Sequence, residues 1–388
     1  MAGRWDHPAR VRVRRRRAMA SLISGLCLVG VVALVVAPAG TPALSTAVSR
    51  SAALQGALQQ ARTRLGVPGV SAAVIQRGQA LWAGTAGTQL PSGGDPITPD
   101  TLFITASTAK TVTAAMAMRL VQQGKLGLDR KAGRYLPELR EGNRITVREL
   151  LQHTSGLPNY LSSPRIQRLL SSDPQHAWTR AEVLRAVGHP TYRPGTRTTY
   201  SDSNYIVLGG IIEAIEGEPF EEDFKTLIAG PLGLSKSSWR YDDSQIGRFA
   251  QPTIQRPDGS FFDPWQSGTI NTGHWGEVWT DGGLATTASE LAEIAHATVM
   301  GPLLKPATRR QMTDFNSDGV GLGVFDKYFL GRPWIGHAGL WAGFTSEHWT
   351  YKRRGLTVAV LTDLEPRPGA ANPAETIFKS LAQVALGT

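Results

Sequence analysis

The position of strand-like segments at the two ends of the chain is the feature that most restricts how these 388 residues can fold. Near the beginning, "GVSAAVIQRGQALWAGTAG" is typical of two short strands joined near Gly78. Near the end, "GHAGLWAGFTSEHWTYKRRGLTVAVLTD" indicates two or three strands with a turn at 352–355. The stretch between them has the apolar spacing of helices. The economical fold is therefore α+β, with one antiparallel sheet built from both chain ends and a mainly helical domain inserted.

The domain boundaries are predicted from the positions where strand-like pattern gives way to helix-like pattern. The sheet should take its strands from about residues 50–105 and 285–388, and the helical insertion should span about 106–284. Amphipathic segments at either end, "STAVSRSAALQGALQQARTRL" and "NPAETIFKSLAQVAL", predict terminal helices that flank the sheet.

Several helices carry recognisable start signals. Asn372 stands at the N-cap position of the last helix, directly before a proline that suits the first helical position. The spacing of a capping box occurs twice, at Thr179 with Glu182 and at Thr287 with Glu290. Both pairs predict that the threonine caps the helix while the glutamate side chain reaches back to the capping residue.

The positive charge of the chain is concentrated at its beginning. The formal net charge is +10, and residues 1–17 hold seven arginines against the single acid Asp6, which leaves +4 for the rest. A mild charge spread over the remaining chain is typical of a solvated surface and argues against a nucleic-acid partner. The basic run is followed by an apolar run at 18–38 and a small-residue A-x-A site.

This order predicts that residues 1–45 form an export signal or an N-terminal membrane anchor and that 46–388 form the folded domain. The apolar run at 18–38 is long for a cleaved signal and long enough to span a bilayer. Two alternatives therefore stay open: a secreted or extracytoplasmic protein, and one anchored by 18–38. Any membrane contact would be made only through this segment, if it is not cleaved.

The chain has one cysteine, Cys27, which lies within the apolar run. The predicted folded domain then has none, which excludes disulfides, thiolate metal sites and a cysteine nucleophile there. The sequence also lacks HExxH, clustered metal ligands, a Walker loop and a G-x-S-x-G elbow. No metal and no cofactor are therefore predicted.

The stretch "FITASTAKTV" places Ser107 and Lys110 three residues apart at the start of a predicted helix. Residues at that spacing share one helical face, so the two side chains should be neighbours. A serine hydroxyl needs an activating partner before it can attack an amide. If the Lys110 ammonium is desolvated and near other cations, its pKa falls and it can accept or relay the serine proton. The same pair could also be an exposed polar turn.

Two later stretches decide between these interpretations. "TTYSDSNY" has Tyr200 and Asp202 just before a helix, and "WIGHAGLWAGF" has the triplet 337–339 at a strand. Together with "ITVRELLQHTSGLP" and "GGLATTASEL", these blocks resemble, in order, the S-x-x-K, S-D-N and K-T-G motifs of serine β-lactamases and penicillin-binding proteins. The nearest branch is that of class C β-lactamases and D-alanyl-D-alanine carboxypeptidases, which implies the β-lactamase/transpeptidase-like fold.

The resemblance implies a role for each matching residue. Ser107 would be the nucleophile, with Lys110 and Tyr200 acting together as the general base. His337 would donate to the substrate or orient the Tyr200 hydroxyl. The oxyanion hole would consist of the backbone N–H groups of Ser107, which begins a helix and so lacks an intrahelical partner, and of Leu340. Gly339 and Asp202 would support this machinery.

Two residues depart from the family pattern. Asp202 stands where asparagine is usual, and it either caps its helix or pairs with Lys110 and raises the lysine pKa. Ala338 replaces a hydroxyl residue that contacts substrate carboxylates in the family, which favours ester, amide or neutral peptide substrates. His153 in "QHTSGLP" is interpreted as a structural, hydrogen-bonded histidine rather than a catalytic one.

The leading hypothesis is an exported serine hydrolase that acts through an acyl-enzyme on Ser107, most simply as a D-alanyl-D-alanine carboxypeptidase. Hydrolysis of esters or of β-lactams ranks after that activity. The partner would be a small-molecule or peptide substrate: a peptidoglycan stem peptide, an ester or a β-lactam. A hypothesis of another class is a catalytically silent protein that binds peptidoglycan or peptides in the same cleft.

Overall fold

The computed structural model describes residues 42–173, 176–239, 247–267 and 278–387. The predicted export or anchor segment, including the apolar run at 18–38, lies outside these residues except at its C-terminal edge. Among the helices of the described ranges, none has the length and apolar character needed to cross a bilayer.

Within the described residues, seven strands form one antiparallel sheet in the order β3-β2-β1-β11-β10-β9-β8. Both chain ends contribute to it, as predicted. Its strands are β1 (Gly69–Gln76), β2 (Gln79–Leu90), β3 (Gly93–Pro96), β8 (Phe325–Phe329), β9 (Arg332–Trp341), β10 (Phe344–Tyr351) and β11 (Leu356–Thr362).

The two ends of the chain meet at the centre of this sheet. β1 pairs with β11 along its length, from Val70 opposite Thr362 to Gln76 opposite Leu356. The β1–β2 hairpin turns at Arg77 and Gly78, which both have positive φ, the backbone form that suits the twist of a tight hairpin. The other strands make smaller sheets: β4 (Phe103–Ile104), β5 (Thr253–Gln255), β6 (Phe261–Phe262), β7 (Ala285–Thr286) and β12 (Leu364–Glu365).

One face of the large sheet is covered by the two terminal helices, α1 (Pro42–Leu65) and α12 (Pro373–Leu386). Leu58 and Phe378 from these helices pack with Trp349 from β10 in one apolar cluster, and all three are buried. Removing such large apolar surfaces from water is the main force that holds helix and sheet together. The predicted flanking of the sheet by terminal helices is confirmed.

The helices of the intervening chain pack on the other side of the sheet and around α2. They are α2 (Ala109–Gln122), α3 (Val147–Leu151), α4 (Pro164–Ser172), α5 (Arg180–Ala186), α6 (Ser203–Glu216), α7 (Phe220–Phe224), α8 (Gly230–Leu232), α9 (Trp279–Gly282), α10 (Ala288–Val299) and α11 (Pro306–Met312). α10 packs against β1 and β11. The C-terminal strands of the large sheet, predicted to begin near residue 285, therefore begin at Phe325. The chain between these positions forms α10 and α11.

The predicted helix-start signals are confirmed, except for the capping box at Thr287 and Glu290. Asn372 accepts a hydrogen bond from the backbone of the last helix, and Thr179 with Glu182 forms a complete capping box. Thr287 caps α10, but the reciprocal bond expected from Glu290 is not made, so the second capping box is wrong. The Glu290 carboxylate instead accepts backbone N–H groups from residues 235–237, because these belong to a loop that would otherwise leave them unsatisfied.

Strand β9 runs very close to the turn that carries Ser107. A Cβ atom on Gly339 would lie 2.5 Å from the carbonyl oxygen of Thr105 and 3.0 Å from the backbone nitrogen of Ser107. No side chain fits between these two backbones, so glycine is required by close approach. This contact places the end of β9 beside the start of α2.

We predict that Gly339→Ala separates β9 from the Ser107 turn and lowers the melting temperature by several degrees, because the backbone must move to admit a methyl group. Gly56→Ala is the matched control, since a Cβ there meets nothing within 4 Å. Alanine favours a helix over glycine, so Gly56→Ala should leave the melting temperature equal or raised. Equal melting temperatures for the two variants in differential scanning calorimetry would contradict the close approach.

A carboxyl group is buried between the sheet and the terminal helices. Glu347 lies on β10 opposite Ala338, is 1% exposed and accepts a hydrogen bond from the indole of Trp349. Burial raises the pKa of Glu347 to about 8, despite the nearby ammonium of Lys327. The folded protein therefore holds this proton at neutral pH, whereas the unfolded chain releases it.

We predict that Glu347 makes a contribution to the free energy of unfolding that is lost as the pH rises from about 4.5 to about 8, because the unfolded state loses the Glu347 proton first. Glu347→Gln should remove this part of the pH dependence, while Glu138→Gln, at an exposed position, should retain it. Urea denaturation at several pH values measures the difference. Parallel curves for wild type and Glu347→Gln would show that Glu347 has an ordinary pKa.

Candidate active site

Ser107 is presented on a short 3-10 turn, Ala106–Thr108, directly before α2. Its neighbours Ala106 and Thr108 are buried, whereas Ser107 itself is partly exposed. Ala106 has φ +49°, a conformation that costs energy for any residue with a Cβ. The turn is held by Thr105, whose hydroxyl donates to Leu284 O at 3.0 Å and whose carbonyl accepts from Thr108 Oγ1 at 2.9 Å. A strained and well-anchored turn thus fixes one accessible hydroxyl.

Lys110 lies beneath that hydroxyl. Its Nζ is 3.1 Å from Ser107 Oγ, 2.8 Å from the backbone oxygen of Asp281 and 2.7 Å from Asp202 Oδ1. The Lys110 side chain is 1% exposed, and its three N–H groups match these three acceptors. The predicted neighbourhood of Ser107 and Lys110 is confirmed.

The sequence left two possibilities for the pKa of Lys110: lowered by burial and nearby cations, or raised by Asp202. Burial alone would lower its pKa, but the carboxylates of Asp202 and of Asp281, whose Oδ2 is 3.9 Å away, outweigh burial and raise the pKa above its ordinary value. The expectation of neighbouring cations and a lowered pKa is wrong, and the alternative that Asp202 raises it is confirmed. Lys110 is therefore an ammonium that donates to Ser107, not a base at neutral pH.

Asp202 occupies the N-cap position of α6, yet its side chain makes no capping hydrogen bond. One oxygen is held by Lys110, and the other accepts from Asn159 Nδ2 at 2.6 Å. These contacts keep the pKa of Asp202 below its ordinary value, although burial acts in the opposite direction. The interpretation of Asp202 as a helix cap is wrong because both oxygens are engaged elsewhere.

Tyr200 lies in the loop before α6, with the Lys110 ammonium 5.3 Å from its ring centroid. Burial raises the pKa of its phenol above the ordinary value, while Lys110 and hydrogen bonding with the Ser107 side chain act to lower it. The net effect is a neutral hydroxyl beside Ser107 and Lys110. The structure thus brings together the three residues that the sequence predicted as nucleophile and base.

His153 fixes the ring of Tyr200. The two rings stack with centroids 4.4 Å apart, and His153 Nδ1 is 3.1 Å from Asn204 Nδ2 and 3.3 Å from the backbone nitrogen of Ser201. Both partners are donors, so Nδ1 accepts. Burial lowers the pKa of His153 to about 3, which keeps the ring neutral. The prediction of a structural, hydrogen-bonded histidine is confirmed.

His337 faces the same site from β9 and is 2% exposed. Its Nδ1 is 2.6 Å from the carbonyl oxygen of Ala338, which can only accept, so Nδ1 carries the proton. Within the described residues Nε2 has no hydrogen-bond partner, and the ring lies 6.2 Å from that of Tyr200. Burial, with the nearby Lys110 charge, lowers the pKa of His337 well below its ordinary value. A neutral ring with a free Nε2 lone pair fits the orientation of a hydroxyl better than donation to a substrate.

The residues that flank Gly339 differ in burial. Ala338 packs on the opposite face of the sheet, in the apolar cluster of the terminal helices. Ala338, which stands where the family has a hydroxyl residue, therefore faces away from His337 and Ser107, because alternate residues of a strand face opposite sides. Leu340 lies at the exposed end of β9, 46% exposed and opposite Thr345. Its assignment as an oxyanion donor, together with Ser107, stays a prediction.

The sequence did not single out three residues that complete the site. Asp281, in α9, supplies a carbonyl and a carboxylate to Lys110, and Asn159 holds Asp202. Phe325, in β8, lies 4.9 Å from His337. Asp281 directly precedes the "GGLATTASEL" block and Asn159 directly follows "HTSGLP", so proximity to these blocks was the available signal.

Comparison with known proteins places this chain in a family. A family model described as Beta-lactamase matches residues 54–381. Esterase EstB of Burkholderia gladioli is 32% identical over 219 residues, which are 53% of this chain and 55% of the esterase. A teichoic acid D-alanine hydrolase of Staphylococcus aureus (strain MRSA252) is 28% identical over 179 residues, 46% of this chain and 43% of that protein. The matches thus span about half the length of these curated relatives.

Solved structures share the fold. The D-amino acid amidase of Ochrobactrum anthropi SV3, complexed with L-phenylalanine amide, superposes with a TM-score of 0.74 at 22% identity, covering 87% of this chain and 99% of the amidase. A penicillin-binding protein homologue from Pyrococcus abyssi gives a TM-score of 0.71 at 23% identity, covering 89% of this chain and 78% of the homologue. With its family model matched over residues 54–381, the chain belongs to the Beta-lactamase family of serine β-lactamases and transpeptidases.

Proposed function

We propose that this protein is a serine hydrolase that forms an acyl-enzyme on Ser107. The observation that carries the proposal is the contact of 3.1 Å between Lys110 Nζ and Ser107 Oγ, with Tyr200 at the same site. A buried ammonium aimed at a partly exposed serine hydroxyl stabilises negative charge that develops on that oxygen. The similarity to esterases and to a D-alanine hydrolase supports the same chemistry.

The protonation states favour a tyrosine shuttle. Because Lys110 already holds its proton, it cannot accept one from Ser107, whereas the neutral Tyr200 hydroxyl can accept and donate in one step. As the Ser107 oxygen bonds to the substrate carbonyl carbon, its proton passes to the Tyr200 oxygen while the Tyr200 proton moves in the same step to the nitrogen or oxygen of the leaving group. The bond from the carbonyl carbon to the protonated leaving group then breaks, and Tyr200 is again a neutral hydroxyl. Water then enters by the reverse route, releasing the acid and restoring Ser107.

The substrate is proposed to be an amide or ester of a D-amino acid. A D-alanyl-D-alanine carboxypeptidase is the peptide version of this activity, and ester or β-lactam hydrolysis would use the same acyl-enzyme. The silent binding protein has no observation in its favour. It depended on Asp202 and Ala338, yet Asp202 holds Lys110 in place and Ala338 faces away from the site.

We also propose that the protein is exported through residues 1–45, on the strength of the basic, apolar and small-residue order of that segment. We expect intact-mass analysis of the protein recovered outside the cytoplasm to show cleavage near the A-x-A site or retention of the full segment in the membrane fraction. Full-length protein found only in the cytoplasm would contradict export.

We predict that Ser107→Ala abolishes covalent labelling by a fluorophosphonate or a penicillin and lowers turnover of a short-chain ester at least about a thousandfold, because the variant lacks the hydroxyl that forms the acyl-enzyme. Ser171→Ala, at an exposed serine of α4, is the matched control and should label normally. Intact-protein mass spectrometry and ester kinetics give the two readouts. Equal ester turnover by Ser107→Ala and wild type would refute the proposal.

Tyr200→Phe tests the shuttle separately. Phenylalanine preserves the stacking on His153 but lacks the hydroxyl, so we expect acylation to slow by about 10²–10⁴-fold with little change in the melting temperature. An unchanged rate of fluorophosphonate labelling and of ester turnover would remove Tyr200 from the mechanism while leaving Ser107 as the nucleophile.

A further inference from the structure

The geometry points to an active site that selects its substrate by charge: it favours acyl donors with a free ammonium next to the scissile carbonyl and disfavours donors with a carboxylate there. This inference rests on the proposed function, because it concerns the substrate class of the same Ser107 site. We expect a higher kcat/KM for an amino-acid ester or amide with a free amino group than for a substrate whose carboxylate lies close to the bond that is cleaved.

The inference begins with the charges at the base of the site. Lys110 contributes one positive charge, and it is flanked by two carboxylates, Asp202 at 2.7 Å and Asp281 at 3.9 Å. The two carboxylates together carry two negative charges against the single positive charge of Lys110, so the base of the site has one net negative charge. The excess arises because two carboxylates lie beside a single ammonium.

The groups that face these charges from other elements do not restore the balance. His153 from the loop after α3 and His337 from β9 are buried and neutral, and so is His348 from β10. The Tyr200 phenol is neutral as well. The Lys110 ammonium acts on Tyr200, on His337 and on Asp202 alike.

The negative charge of Asp202 is close enough to the cleft to interact with a bound substrate. Asp202 is 12% exposed at its side chain, and both of its oxygens can only accept hydrogen bonds. When a carbonyl carbon lies against Ser107 Oγ, an α-ammonium on the acyl group is only two bonds from that carbon. It then lies within several ångströms of Asp202, close enough for one unit charge to change binding about tenfold in a partly solvated cleft.

The experiment uses three methyl esters that share one ester bond and a similar shape and differ in the charge of one group on the carbon next to the carbonyl. D-alanine methyl ester has an ammonium there, methyl isobutyrate has a neutral methyl group, and monomethyl methylmalonate has a carboxylate. We expect kcat/KM of the full-length wild type to fall about tenfold at each step in that order at pH 7 and low salt. The advantage of the first ester over the second should diminish above about pH 8, where an α-amino group loses its proton, and at high ionic strength.

Asp202→Asn removes the excess charge and keeps an oxygen for Lys110. We expect the ratio of kcat/KM between the ammonium and carboxylate esters to fall at least about tenfold in this variant, whatever happens to the absolute rates. Asp129→Asn is the matched control, because it removes one carboxylate at an exposed position beside Arg148 and should leave the ratio unchanged.

The outcomes separate the two proposals. Turnover of all three esters with equal kcat/KM, or a ratio that Asp202→Asn leaves unchanged, would overturn the charge selection while retaining the acyl-enzyme. Absence of turnover and of covalent labelling at Ser107 would overturn the proposed function itself, and with it the inference that rests on it.

Discussion

A buried ammonium group needs acceptors for its N–H groups, and the arrangement of this molecule around Lys110 follows from that need. The three acceptors come from three distant parts of the chain: the turn that carries Ser107, the start of α6 at Asp202, and α9 at Asp281. The helices that carry these parts also pack against one another, and one side chain joins all three. Breaking a buried pair of this kind is costly, since the remaining charge stays in the interior.

A second layer of hydrogen bonds holds the acceptors in place. The segment that contains His153, Ser155 and Asn159 contacts the "YSDSN" stretch at nearly every other residue. His153 stacks on Tyr200, Ser155 donates to Asn204, and Asn159 donates to Asp202. One neighbouring loop thus positions both Tyr200 and Asp202, the carboxylate that raises the pKa of Lys110. Substitutions in that loop will therefore affect the protonation of Lys110 as well as the geometry of the site.

Much of the fold could be predicted from local pattern alone. Alternation and turn residues reveal strands such as β1 and β11, and a glycine with positive φ, Gly217, ends α6. Local pattern does not reveal where a long side chain finds its partner. Glu290 has the spacing of a capping box, yet it binds a loop some fifty residues earlier in the chain.

The same limit applies to the site. The spacing of Ser107 and Lys110 predicts their contact because both belong to one helical turn. The pKa of Lys110 depends on Asp281, which only the tertiary structure brings within 3.9 Å. Which way Ala338 faces depends on strand register, and a one-residue difference moves a side chain to the other face.

The pairing of β1 with β11 has a consequence for how the protein is made. Gly69 and Asp363, which share a hydrogen bond at the end of this pairing, are separated by 294 residues. During synthesis the first hairpin emerges with an open edge, and its partner strand follows only when the helical region has already left the ribosome. Contacts this distant slow folding and prolong exposure of a strand edge. The chain therefore cannot complete its sheet until its last strands have been synthesised.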